Sequence, residues 1–316
     1  MSTLALSGPV RVTLRQHRTT LWTVGTLALA GIASVVIARL VLSSATDTFA
    51  DTDCSVRKVT EGCGIAVRHF LSVELHFHRL LQYAALVMML LPVFVGMFVA
   101  GPMIARELES GTFRLSWSQG ISPARWLAAK LAVPAAATVA GVSVLSAVFG
   151  WAASRTDRTQ YPLDMYDRDV YGSMGTAPVG YTLCMLALGA LAGLLLRRTV
   201  PAMIATVVAF APLTALMNRV REDLWPTVRT TENQWIRDNT TWLVDSGTLT
   251  ASGKPLDPAV CGDPGAPAAC KGAVSYVDYH PLSHFWPLQL VETGILLAVA
   301  ALAVALAFRV LRGLHA

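Results

Sequence analysis

The sequence predicts an all-α membrane protein: six transmembrane helices, an N-terminal interfacial helix, a short cytoplasmic helix and helical extracellular loops, in one transmembrane domain over residues 1–316. Three observations predict it. Charged residues make up only 14% of the chain, against about 25% in an average soluble domain, and the mean hydropathy is +0.52. Six apolar runs reach the length of about 20 residues that crosses a hydrocarbon core of about 30 Å as a helix. Basic residues also gather in the loops that such a layout places on one side.

The elements follow in order. Residues 10–21 combine Val10, Leu14 and Leu21 with Arg11, Arg15 and Arg18, a pattern suited to a helix lying in the membrane interface; the alternative is an unstructured basic leader. The first span, 20–43, is broken only by Arg39, whose long side chain can snorkel to the outer interface. It is too long for a cleaved signal peptide, and the Ser-Ser-Ala after it is a weak cleavage cue. In the outer loop 44–81, Phe70, Val73 and Phe77 share one helical face, so an amphipathic helix should lead into the second span, 82–104. The third span is 127–153. The loop 154–176 is acidic and Tyr-rich, with no clear element. The fourth and fifth spans, 177–196 and 199–217, are separated only by Arg197 and Arg198, which demands a tight turn.

The largest polar region, 218–286, is expected to open with a helix over 219–245 carrying Leu224, Trp225, Trp235, Ile236, Trp242 and Leu243. A Gly/Pro-rich stretch, 252–272, comes next. An aromatic cluster, 279–287, then leads into the sixth span, 287–308, where interfacial Trp and Tyr belong.

With both termini cytoplasmic, the inner loops hold eleven basic residues against two acidic ones. The outer loops hold 13 basic and 17 acidic residues. The net charge of +5 therefore reflects orientation in a membrane rather than affinity for nucleic acid. Cys54, Cys63, Cys261 and Cys270 form two close pairs in outer loops, and Cys184 lies in an apolar run. Two extracellular disulfides are expected. Four cysteines allow three pairings, of which Cys54–Cys63 and Cys261–Cys270 are the local ones; CxxC-type zinc spacing is absent.

His69, Glu74, His76 and His78 can be read as metal ligands, but His76 and His78 point apart on a helix. His280 and His284 are four apart with Pro281 between them, which spoils a regular turn. No metal site is expected. Glu292 lies inside the sixth span near the outer headgroups, as a paired or partly hydrated carboxylate with a candidate role in substrate passage or helix pairing. Pairing with Arg39 is one option. There is no Ser/His/Asp triad and no Walker-type loop, so the chain is not read as an enzyme, and any ATP used must be bound by another chain.

Function should concentrate in the polar interruption between the second and third spans. Glu107 and Glu109 are the two acids on the cytoplasmic side. Gly111 can take positive φ and end the helix leaving the membrane. Residues 112–119 can form a short surface helix, with Leu115 and Trp117 as apolar contacts. Ser122 then caps the next helix, with Pro123 in its first position and Arg125 and Lys130 on its first turns. The product is a rigid knuckle between two membrane helices.

The residues Arg106-Glu107-Leu108-Glu109-Ser110-Gly111-Thr112, Ser116-Trp117-Ser118-Gln119 and Ser122-Pro123-Ala124-Arg125-Trp126-Leu127-Ala128-Ala129-Lys130 resemble the pattern of ABC transporter permeases of the type-two exporter family. The six-helix layout and the large outer loop before the last helix agree. The resemblance implies a permease that pairs as a dimer, a homodimer in the simplest case, with each half docking a separate ATP-binding cassette subunit that carries the ATP and magnesium. It makes 10–21 the interfacial connecting helix and 106–119 the coupling helix. Arg106, Glu107, Glu109, Gly111, Thr112 and Arg114 would then bear on the ATPase, and the outer segments would cap an exit path. The expected function is ATP-driven export of an amphipathic drug, antibiotic, peptide or lipid-like molecule across a bacterial plasma membrane. The rival is a non-transporting sensor or scaffold that signals from its outer loops.

Overall fold

A computed structural model describes residues 18–113, 122–156, 159–231, 240–256 and 270–313. Among them are six helices long and apolar enough to cross a membrane. The helices are α1 (Arg18–Ala50), α2 (Gly64–Phe94), α3 (Gly101–Ser110), α4 (Pro123–Ala153), α5 (Arg168–Tyr171), α6 (Ala177–Leu196), α7 (Thr199–Val220) and α8 (Phe285–Gly313). Each predicted span falls within one of them, α2 and α3 together forming the second. Of the expected interfacial stretch 10–21, residues 18–21 form the start of α1 and 10–17 lie outside the described residues, as do 114–119 of the expected surface helix 112–119.

The second span shows why a helix with two prolines can stay continuous. Pro102 has no N–H to give to the ladder. A π turn at Val95–Ala100 re-registers the chain, with the Gly101 N–H donating to the Gly96 carbonyl. The same turn brings Gly96 against α6, the most buried of the six spans. A Cβ added at Gly96 would lie 2.7 Å from the Met185 carbonyl oxygen, one at Gly189 2.5 Å from that of Gly96, and one at Gly193 2.8 Å from that of Gly101. Small residues let helix backbones approach closely where apolar lipid offers no competing hydrophobic drive. The glycine seam thereby makes α6 the central post, contacted by α8, α7, α4 and the second span.

The predicted amphipathic helix is present as the first turns of α2, with Phe70 and Phe77 buried. Phe70 stacks on Phe49 of α1 at 4.4 Å. The Cys54–Cys63 disulfide ties the two helices beyond that stack, with Cα atoms 5.6 Å apart. Cys270 is also disulfide-bonded, and Cys261 lies outside the described residues. The loop 154–176, in which no element was expected, carries α5. It buries Leu163, Tyr166, Val170, Tyr171 and Met174 in the core shared by α1, α2, α4 and α8.

Among the described residues of 219–245, the expected helix is replaced by the end of α7, a 3-10 turn and strands; 232–239 lie outside the described residues. After α7 comes a 3-10 turn, Arg221–Asp223, and the chain then builds a four-stranded antiparallel sheet in the order β1-β4-β2-β3. The strands are β1 (Val228–Thr230), β2 (Trp242–Leu249), β3 (Pro255–Leu256) and β4 (Val274–His280). The helical extracellular loop is thus corrected to a sheet. Its physical reason is in β4: Val, Tyr, Val and Tyr recur in a seven-residue run between Gly272 and Pro281, suited to a pleated, half-buried surface. A bulge between Leu243 and Asp245 shifts the register of β2 against β4.

Candidate functional site

Two polar constellations occupy opposite ends of the bundle. At the knuckle end, Gly111 has φ of 73° and ends α3, as its position predicts. Ser122 caps α4, its hydroxyl accepting from the Arg125 N–H at 3.4 Å, with Pro123 in the first turn. Between these ends Glu107 acts as a bracket. The Trp126 indole N–H donates to Glu107 Oε2 at 2.9 Å, and Lys130 Nζ donates to Oε1 at 2.6 Å. Trp126 and Lys130 stand four apart, so one face of α4 presents both donors to one carboxylate.

Glu109 reaches a different helix. Its Oε2 accepts from the Thr199 N–H at 3.0 Å and from the Thr199 hydroxyl at 2.9 Å. Thr199 opens α7, whose first N–H groups have no partner within the helix and whose dipole favours an anion there. Glu109 therefore caps α7 from across the bundle. It also steadies the tight turn in which Arg197, a non-glycine residue, adopts φ of 51°. The last turn of α3 is thus tied to α4 by Glu107 and to α7 by Glu109. Arg106 and Thr112 are exposed beside it, with the Thr112 hydroxyl 2.9 Å from that of Ser110. Arg114 lies outside the described residues.

At the sheet end, Glu292 is fully buried. Arg221 grips it with two hydrogen bonds, Nε to Oε2 at 3.0 Å and Nη2 to Oε1 at 2.9 Å, and the Tyr181 hydroxyl donates to Oε1 at 2.6 Å. The Arg221 guanidinium also lies 4.4 Å over the Tyr171 ring. One turn away on α8, buried Gln289 accepts from the Ala177 N–H at 2.8 Å and donates to the Tyr171 carbonyl at 3.0 Å, capping α6 and holding α5. Pairing of Glu292 with Arg39 is overturned: Arg39 instead stacks over Trp151 at 3.8 Å. Sequence reasoning missed Arg221 because it was placed in a loop helix. The available signal was a cation just past the fifth span, at the depth of the acid in the sixth.

The histidines divide. His76 Nδ1 bonds back to the Ser72 carbonyl, His78 Nδ1 lies 3.0 Å from the Tyr161 carbonyl, and Glu74 accepts from the Gln160 N–H at 3.1 Å. His78 and Glu74 thereby anchor the loop that leads to α5, while His76 bonds within its own helix. His280 and His284 do meet, Nδ1 to Nδ1 at 3.1 Å, across a 3-10 turn that accommodates Pro281. His280 Nε2 lies 2.9 Å from the Glu222 carbonyl, which docks β4 onto the end of α7. Outside the spans, Arg229 grips Asp278 in two hydrogen bonds of 2.7 and 2.6 Å, and these hold its carboxyl below the usual range. Among the described residues no group of three metal-ligating side chains gathers.

The family model described as ABC-2 membrane transporter related matches residues 19–221. The match takes in α1 to α7 and both tethers of the knuckle, and ends on Arg221. No curated protein and no solved structure matches the chain at a significant level. Six apolar helices make this a multi-pass membrane protein, and the matched span places it among transport subunits that work with separate ATP-binding subunits: the chain belongs to the ABC-2 membrane transporter related family, as an ABC-2-type permease.

Proposed function

We propose that this chain is the membrane half of an ATP-driven exporter for an amphipathic molecule, with a homodimer of the permease docking two ATP-binding subunits at the knuckle end. Both termini would be cytoplasmic in a bacterial plasma membrane. The observation that carries this reading is the double tether of α3. A push on residues 106–113 is delivered through Glu107 to α4 and through Glu109 to α7, so one contact can tilt two spans together. ATP and magnesium stay with the partner, in keeping with a chain that has no nucleotide loop of its own.

The test is ATPase activity of the permease reconstituted with its ATP-binding subunit. Glu109 is exposed, and its loss leaves the Thr199 amide open to water, so Glu109→Ala should cost only about 1 kcal/mol of stability, the scale of a lost helix cap. Glu107→Gln keeps a carbonyl for Trp126 but removes the charge facing Lys130. Each variant should assemble with the ATP-binding subunit, and each should lower transport per ATP hydrolysed. Full coupling in the pair of substitutions together, in an assembled complex, would overturn the tether as the transmission point. An assembled chain that binds an external ligand but neither stimulates ATPase nor moves cargo would favour the sensor.

A further inference from the structure

We infer that Arg39, Trp151 and Arg155 form a binding site for the phosphate of an anionic phospholipid in the sheet-end leaflet. Arg39 lies eleven residues before the end of α1, roughly 16 Å along the axis, where the apolar run of the first span gives way to polar residues. Its guanidinium lies 3.8 Å over the ring of Trp151, two residues before the end of α4. That contact fixes the planar group flat and leaves its edge as the donor surface. Nη1 is buried and has no hydrogen-bond partner. Arg155, just past the end of α4, is exposed, and its charge acts on Arg39. Neither arginine joins an ion pair among the described residues.

Two like charges near each other at a membrane interface, neither paired with a carboxylate among the described residues, favour an anion that joins them. An arginine is well shaped to grip phosphate oxygens. What surrounds the pair selects the source of that phosphate. Trp151 itself is 44% exposed, and Leu40, next to Arg39 on α1, is 59% exposed, which suits acyl chains lying below a headgroup. A free anion would gain nothing from that apolar surface. Electrostatic attraction and apolar burial act together in lipid binding, and both are present at this pair.

The experiment is native mass spectrometry of the full chain in complex with its ATP-binding subunit, delipidated in detergent and titrated with phosphatidylglycerol. The wild type should retain a phosphatidylglycerol that Arg39→Gln holds roughly tenfold more weakly, the size of one lost charge-assisted hydrogen bond. Arg39→Lys should fall between, because it keeps the charge and loses the flat stack. Arg155→Gln, a change at an exposed position, should weaken retention by a smaller factor in a fully assembled protein. Equal retention in wild type, Arg39→Gln and Arg155→Gln would overturn the site. So would displacement of the lipid by millimolar inorganic phosphate, which would mark a free-anion site. Unchanged lipid retention together with loss of the permease dimer in Arg39→Gln would overturn it in favour of a second copy of the chain.

Discussion

The knuckle end and the sheet end each hold an acid gripped by a base, but water reaches only one of them. The side chains of Glu107 and Lys130 are 23% and 8% exposed, whereas those of Glu292 and Arg221 are 0% and 6% exposed. At the knuckle, water can follow the carboxylate if the tether slackens, so small displacements are not prohibitive. At the sheet end no solvent replaces a lost contact, and Glu292 also binds Tyr181 of α6. The difference teaches a division of labour. The buried pair fixes how α6, α7 and α8 meet, and the partly hydrated pair is the one that can shift, as moving parts are drawn from the less stable regions of a fold.

The comparison is broken most directly by Glu292→Ala. This leaves the Arg221 charge buried without a counterion, a loss of about 3–5 kcal/mol for pairs of this kind. A large fall in melting temperature in detergent is expected, with poor recovery of folded protein. Replacing both partners, Glu292→Leu with Arg221→Met, should restore most of the stability, since a packed apolar pair avoids the desolvation penalty. If Glu292→Ala melts with the wild type, the sheet end is no more rigid than the knuckle and the division fails.

The glycine seam joins the two ends and sharpens the contrast at an intermediate scale. Gly189→Ala puts a Cβ 2.5 Å from the backbone oxygen of Gly96, and neither backbone can give way cheaply. Overpacking of this kind costs about 1–3 kcal/mol. Gly141 on α4 is the control, because a Cβ there meets nothing within 4 Å. Alanine at that position should stabilise its helix by up to about 1 kcal/mol. Opposite signs of the change in melting temperature are therefore expected for the same substitution at two helical glycines; equal shifts would remove the case for close helix contact at the seam.

What could be read from the sequence was what a few neighbouring residues decide. Gly111 ending α3, Ser122-Pro123 starting α4, the nine-residue Cys54–Cys63 closure and the buried face of Phe70 and Phe77 all follow from local geometry. The knuckle was half legible. Its three motif segments were seen, but not that Glu107 in the first accepts from Trp126 and Lys130 in the third. The pair Arg221–Glu292 spans 71 residues and depends on where α7 ends, which hydropathy alone does not fix. The sheet was misread because Leu224, Trp225, Ile236 and Leu243 also fit helical spacing. The alternation in β4 was too short to outweigh it, and only pairing with β1 and β2 makes it a strand.

The smallest expected effect is in the sheet, where Arg229 is half exposed and Asp278 is nearly covered. The hydrogen bonds from Arg229 hold the Asp278 carboxyl below its usual range, outweighing the opposing effect of burial. A carboxyl depressed in the folded state contributes its stability above its unfolded pKa and loses it as pH falls through the folded value. Acidification below the ordinary carboxylate range should therefore loosen β1 from β4 while the helices of the bundle hold. Hydrogen exchange measured down a pH series should show the amides of β1 and β4 losing protection first, after allowance for the intrinsic pH dependence of exchange. Asp278→Asn should make that early loss independent of pH. If the Asn variant keeps the same acid-dependent loosening, the trigger lies elsewhere, and the His280–His284 contact that docks β4 on α7 becomes the next group to substitute.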